Sequence, residues 1–348
     1  MKEAWGDVPI RTIPTDLGHG RELVFLGAAT SDGKWLVGSS LSKVFLSPQW
    51  SFGDKVTWGP GDAVLVNVAD GRVHTMARLT SPLSQIAAAA SDGPWVVWVE
   101  ADDNPYFLDW RLRAYDRRTG KTRELARNQR DGNALLLGPR PVPRMSGDRV
   151  VWGQAVGPLA DPDPDRNAVV RMADLGTGEI TTLVDHAFQP AISWPWVGWG
   201  TRASGYPQTV FRNLETGEVR RIDTGYSNLI LDGATAAYDA MQGQVLCIVD
   251  DVAAGAPRTL ASEPYSSWEW QSINDRVVGF LGPTHDVEGV EMPTQVYDRQ
   301  LDALIDLPGI GYSRTRVAGP LLTWMSRARK GDLFPDLVKV LDTRDIPR

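Results

Sequence analysis

Read along the chain, the apolar positions alternate with polar ones in short runs, and turn residues interrupt them before any run reaches ten. A turn signal followed by an apolar run recurs as Asp32-Gly33-Lys34-Trp35-Leu36-Val37, Asp92-Gly93-Pro94-Trp95-Val96-Val97-Trp98 and Gly147-Asp148-Arg149-Val150-Val151-Trp152. It returns at Trp194-Pro195-Trp196, Asp232-Gly233-Ala234, Asn274-Asp275-Arg276 and Ala318-Gly319-Pro320, each time ahead of another apolar stretch. The markers at 33, 93, 148, 195, 233, 275 and 319 are spaced by 60, 55, 47, 38, 42 and 44 residues. Steps of about 40–50 residues are those of propeller blades. After each marker and a variable loop comes a second pair of alternating runs. Residues 112–116 and 122–126 flank one polar Thr-Gly turn, 169–175 and 180–184 another, and 210–214 and 219–222 a third. This pattern reads as a β-hairpin in which glycine supplies the positive φ. No segment keeps a 3.6-residue apolar period for the 10–12 residues that a helix requires.

The reading is therefore all-β: a single seven-bladed β-propeller over residues 1–348, with four-stranded antiparallel blades. Only one clear strand, 337–341, follows the seventh marker, and an unmatched strand-like run, 8–13, precedes the first unit. The expectation is that this N-terminal run completes the blade formed by residues 312–346, closing the ring and removing open sheet edges.

The repeat resembles the TolB-type β-propeller family, whose units carry a Ser-x-Asp-Gly-like turn, an apolar strand ending in Asp, and a Thr-Gly hairpin. Ser31-Asp32-Gly33-Lys34 and Ser91-Asp92-Gly93-Pro94 match the first element, and Asp116 to Gly120 and Asp174 to Gly178 the last. Trp194-Pro195 and Ala318-Gly319 depart from it. The resemblance implies a fold rather than a function. Propellers of this kind serve as protein-binding platforms, carbohydrate binders, peptidase accessory domains and polysaccharide lyases.

Composition narrows the chemistry. With 36 Lys+Arg against 43 Asp+Glu the formal net charge is −7, which gives no general attraction to nucleic acid or anionic membranes. The lone cysteine, Cys247, excludes an intrachain disulfide and any cysteine-rich metal site. Residues 1–14 lack the apolar core of a signal peptide, and no run approaches a membrane span. A soluble monomer without a cofactor is expected, either cytoplasmic or a mature secreted domain. Phosphate-loop, zinc-helix and nucleophile-elbow motifs are all missing from the sequence.

Of 14 tryptophans, Trp35, Trp95, Trp98, Trp152, Trp196, Trp199 and Trp324 fall in the apolar strand of a repeat, where they are expected to pack between blades. Trp50, Phe52, Trp58, Tyr106, Phe107 and Trp110 instead fall in long intra-blade loops and are candidate ligand contacts, able to stack on sugar rings or anchor a partner protein. Propeller geometry puts the longest loops, 43–62, 100–110, 154–167, 200–208, 282–294 and 326–335, on one face around the central channel.

Three of the four histidines, His19, His186 and His285, map to that same face, whereas His74 maps to an outer strand. The leading functional reading is a non-enzymatic platform for a protein or glycan. The alternative is a lyase acting on a uronate-containing polymer, with His19 or His285 as base, Tyr312 as acid and Arg314 on the carboxylate. A calcium site at Asp161, Asp163 and Asp165 with Asp102 and Asp103 is disfavoured, because alternating prolines extend that loop and the glycine of a calcium loop is absent.

Overall fold

The computed structural model describes the chain except residues 43–60, 82–83, 103–106, 158–166, 202–207, 223–227, 241–244, 263–268, 282–293, 309 and 328–336. It contains seven antiparallel blades around a channel. Blade two shows the plan. Its strands Gln85–Asp92, Trp95–Ala101, Trp110–Asp116 and Lys121–Arg127 pair in sequence order from the channel outward.

The ring closes as the unmatched ends of the sequence predict. The strand Ile10–Pro14 pairs antiparallel with Leu337–Asp342, Ile10 opposite Leu341 and Pro14 opposite Leu337, and so becomes the outer strand of blade seven. The strand starts two residues and ends one residue later than the expected 8–13. Val8 ends up as a buried anchor ahead of the strand. Four small elements among the described residues were not legible in the alternation: a one-turn helix Lys2–Trp5, a strand Asp16–Gly18 beside blade one, a hairpin of Arg130–Asp131 with Ala134–Leu135, and a 3-10 turn Thr343–Asp345.

Seven apolar clusters fill the seven clefts between neighbouring blades. Trp98 packs between blades one and two, Trp95 and Trp152 between two and three, Trp199 between three and four, and Trp196 between four and five. Trp324 lies between blades six and seven, and Ile13 joins the last cleft, between seven and one. Among the seven strand tryptophans only Trp35 is half-buried, with its edge toward the His74 ring. Burying such side chains stabilises by about 1.5–3 kcal/mol each, so the clefts hold the ring together.

The repeat grammar has a hydrogen-bonding cause. At the end of each third strand an Asp or Asn accepts from backbone N–H groups two or three residues on: Asn67, Asp116, Asp174, Asn213, Asp251, Asp298 and Asp342. In blades one to six these Asx turns start the outer hairpins, whereas Asp342 of blade seven caps the 3-10 turn Thr343–Asp345. On the marker face the turns link blade to blade. Ser31 accepts from the Gly93 N–H at 3.1 Å, Asp92 from Gly147 at 2.7 Å, Ser146 from Trp194 at 2.9 Å and Ser193 from Gly233 at 2.8 Å.

Candidate functional site

The two ends of the channel are built differently. The inner strands are Arg21–Ala29, Gln85–Asp92, Arg144–Ser146, Ala187–Ser193, Leu229–Asp232, Glu269–Ile273 and Ile310–Ala318. Toward the marker turns they are regular. Toward the loop face the register shifts in five of them, at 25–28, 86–88, 188–191, 269–272 and 311–315, and the inner strands of blades three and five are three and four residues long. A bulge turns side chains and carbonyls out of the ladder, and such irregularity concentrates where a protein binds or reacts.

In the channel wall lies a cavity of about 370 Å³, shared by the inner strands of blades seven, one, two and three with Ser272 of blade six. Arg140, Arg144 and Arg316 line it, and among the described residues its lining contains no carboxylate. The segment Pro139-Arg140-Pro141-Val142-Pro143-Arg144 leads into blade three. Arg140, Val142 and Arg144 line the cavity, while Pro141 and Pro143 between them are buried away from it. Alternate residues of an extended chain share one side, and proline fixes φ without needing a hydrogen-bond acceptor for an N–H.

Arg140 donates from Nη2 to the carbonyl of Ala87 at 2.7 Å, within the bulge of blade two, and its guanidinium lies 4.1 Å from the Phe107 ring centroid. Arg140 stays exposed overall, yet partial desolvation of its guanidinium by the surrounding wall lowers it below the usual arginine range. Arg316 lies across Gly27, which has φ +72. A Cβ there would sit 2.7 Å from Arg316 Nε and 2.8 Å from its Cδ and Cγ. Glycine at this bulge thus serves both the left-handed backbone and the close approach of the arginine. Arg144 keeps partial solvent contact through the channel, yet the surrounding wall desolvates it and pushes it down to about 10. Among the described residues it has no hydrogen-bond or ion-pair partner.

The residues singled out from the sequence are distributed unevenly. Trp50, Phe52, Trp58, Tyr106 and His285 lie outside the described residues, as do Asp103, Asp161, Asp163 and Asp165. Tyr312 and Arg314 fall in the bulged inner strand of blade seven, where only the backbone is described; Arg314 meets Leu281 of blade six in register.

His19 is exposed with φ 52 at the loop-face turn before the inner strand of blade one. His186 occupies the same kind of turn, φ 54, before blade four. His74 is exposed on the outer strand of blade one, its Nε2 2.8 Å from the Tyr115 hydroxyl.

Trp110 departs from the expectation of a loop aromatic. It begins the third strand of blade two opposite Ala101, is 3% exposed, and packs in the cleft between blades two and three. Two more residues of alternation bring it into the strand. Phe107 is half-buried, φ 53, and adjoins Trp110 across a water-sized cavity of about 30 Å³ that Arg140 also lines.

Asp102 accepts hydrogen bonds from Ser84 and from Arg111, the latter at 2.7 Å. Among the described residues no three His, Cys, Asp or Glu side chains cluster as a metal site would require, and no helix is long and apolar enough to cross a membrane.

No protein-family model matches the sequence, and no curated protein matches it. Solved structures do. An oligogalacturonate lyase in complex with manganese superposes with a TM-score of 0.56 at 12% identity, covering 98% of this chain and 96% of that one. An oligogalacturonate lyase from Vibrio parahaemolyticus gives 0.54 at 12% identity, covering 96% and 97%. The β-propeller domain of Cps50 (Swd1) from Myceliophteria thermophila gives 0.53 at 13% identity, covering 95% and 99%.

TolB from Acinetobacter baumannii is also among the similar propellers, with a TM-score of 0.45. The chain spans 59% of that TolB and 47% of a similar prolyl endopeptidase. At such identities the likeness shows the fold, a seven-bladed β-propeller, and leaves the activity to the site.

Proposed function

We propose that the protein is a binding platform that engages a glycan or a protein through its loop face, around the mouth of the channel. The observation that carries this reading is the asymmetry of the inner strands, regular toward the marker turns and, among the described residues, bulged toward the loops in five blades and cut short in blade three. A ring built only for stability would keep its ladders paired at both ends.

Trp50 and Trp58 are the aromatic contacts to test first, since Trp110 contributes to the cleft between two blades. A glycan array and an affinity pull-down with the full chain separate the ligand classes. Retention of a glycan that Trp50→Ala and Trp58→Ala abolish supports sugar stacking, and retention of a protein partner lost with the same variants supports a protein ligand. Specific binding in neither assay, or binding that both variants leave intact, removes the reading.

A lyase acting on a uronate-containing polymer is the second reading. It is favoured by the two oligogalacturonate lyases that match over nearly the whole of both chains, and by ring closure, which makes blades six, seven and one neighbours. In that chemistry His19 or His285 takes the proton α to the carboxylate, the C–O bond to the next sugar breaks with its electrons on oxygen, and Tyr312 protonates that oxygen. Arg314 would neutralise the carboxylate. The unsaturated product absorbs in the ultraviolet. Absorbance that grows with uronate polymers and is lost in either His19→Ala or His285→Ala would replace the platform reading; activity surviving both changes would reject the assigned bases.

A further inference from the structure

We propose that blades six and seven, together with the N-terminal segment, move as one rigid clasp of the ring, locked at the loop face by the side chains of Thr315 and Ser272. The clasp is a property of the ring itself and stands or falls separately from the loop-face reading.

The inner strand of blade seven, Ile310–Ala318, belongs to two blades. It pairs with its own second strand, Leu321–Arg327, and also, through Arg314 opposite Leu281, with the second strand of blade six, Val277–Leu281. Blades one to five each form a sheet of their own, so among the described residues this is the one blade boundary that a strand ladder crosses. The cause is local. The inner strand of blade six shifts register between Glu269 and Ser272, and its pairing passes from Leu281 to Gly279 over Phe280. Thr315, fully buried, serves Phe280 from the next blade. Its hydroxyl accepts from the Phe280 N–H at 2.7 Å, and its own proton faces the carbonyls of Phe280 at 2.9 Å and Gln295 at 3.1 Å. Ser272 Oγ accepts from the Val317 N–H at 2.7 Å. A buried backbone group left without a partner costs about as much as a lost hydrogen bond, so these two side chains turn an irregularity of blade six into a bond between blades.

The same boundary is tied at two further levels. On the marker face Asn274 Nδ2 donates to the Gly319 carbonyl and to Thr343 Oγ1, both at 3.0 Å. On the outside the N-terminal segment holds both blades, since Trp5 donates to Asp298 of blade six and the strand Ile10–Pro14 pairs with blade seven. The other boundaries are held, among the described residues, by apolar packing and by side-chain bonds such as those of Ser31 and Ser193 to the next blade. Local opening follows the weakest contacts. Breathing of the ring that changes the width of the channel therefore takes place at those boundaries, while the segment 310–316, which carries Tyr312 and Arg314, keeps its place against blade six.

Native-state hydrogen exchange of the full chain in rising, sub-denaturing guanidinium chloride, read by mass spectrometry of its peptides, tests this. Segments 277–281 of blade six and 321–326 of blade seven should open together, with one free energy and one denaturant slope, and apart from segments 196–200 of blade four and 235–239 of blade five. Thr315→Val, which keeps the shape and removes the hydroxyl, should separate the two openings and speed exchange at 277–281 by about tenfold or more, the loss expected when buried backbone groups lose their partner. Thr315→Ser, which keeps the hydroxyl, should leave the two blades opening together. Ser272→Ala removes less and should separate them in the same direction, which keeps the test in hand if Thr315→Val does not fold; far-UV circular dichroism checks each variant. Separate openings of blades six and seven in the wild-type chain, one opening shared by all the blades, or joint opening preserved in the folded Thr315→Val and Ser272→Ala variants would overturn the proposal.

Discussion

The indole N–H of Trp5 donates to Asp298 Oδ2 across 2.6 Å, joining the fifth residue of the chain to the end of the third strand of blade six. Asp298 is fully buried. The same oxygen accepts from Arg276 Nε and Nη2 at 3.0 and 2.8 Å, and Oδ1 accepts from the N–H groups of Gln300 and Leu301. One carboxylate thus serves its Asx turn and anchors the N-terminal segment in the cleft between blades six and seven. Trp5→Ala should lower stability by about 3–5 kcal/mol, the range for emptying a buried aromatic site. Trp5→Phe, which keeps most of the packing and loses the hydrogen bond to a buried carboxylate, should cost about 1.5–3 kcal/mol. Denaturant midpoints of the two variants separate packing from the hydrogen bond; equal losses would contradict the packing role.

Removing residues 1–14 takes away both this anchor and the strand paired with Leu337–Asp342. The melting temperature should fall well beyond the effect of trimming an unpaired tail, and the exposed edge should promote association. An unchanged melting temperature would contradict the closure.

Ser31 and Ser193 each accept a backbone N–H from the next blade, at well-separated cleft positions. Ser31→Ala and Ser193→Ala should each cost about 0.5–1 kcal/mol. Their effects should add within about 0.5 kcal/mol, because the two sites share no partner. A double-mutant cycle measures this, and strong coupling would mean that the marker turns respond as one unit.

Asp102 gives the fold a defined response to acid. Burial alone would raise its carboxyl, but hydrogen bonds from Ser84 and Arg111, with the charge of Arg111, outweigh burial and hold it below the usual carboxylate range. The unfolded chain then binds the proton more readily, so the stabilisation is fully present above about pH 4, the ordinary Asp value, and is lost as pH falls through the depressed folded value. Asp102→Asn should be less stable than the wild type at neutral pH, and the difference should shrink on acidification. A gap that stays constant down to acid unfolding would contradict this pairing.

The fold was legible because its periodic signals each have a local cause. The Asp or Asn before each Thr-Gly turn is an Asx acceptor, the marker serines and Asp92 reach the next blade, and the strand tryptophans fill clefts between neighbouring blades. Trp110 was misplaced because the alternation of its strand begins two residues earlier than the apolar run suggests, at a position where loop and strand look alike. The channel arginines left almost no trace. Arg144 and Arg316 are far apart in sequence, and only the ring brings them to one cavity. The available signals were Gly27, a glycine interrupting an apolar strand, and the alternation of prolines with Arg140, Val142 and Arg144.

Hydrogen exchange with and without the ligand retained by the array or the pull-down tests most directly whether the irregular end of the channel is the working end. Binding should slow exchange in the loop-face halves of the inner strands, around residues 21–27, 85–88, 140–144 and 310–316, and leave the marker turns at 92–95, 147–149 and 232–235 unchanged. Protection confined to the marker turns, or to the outer strands, would contradict the assignment of the loop face.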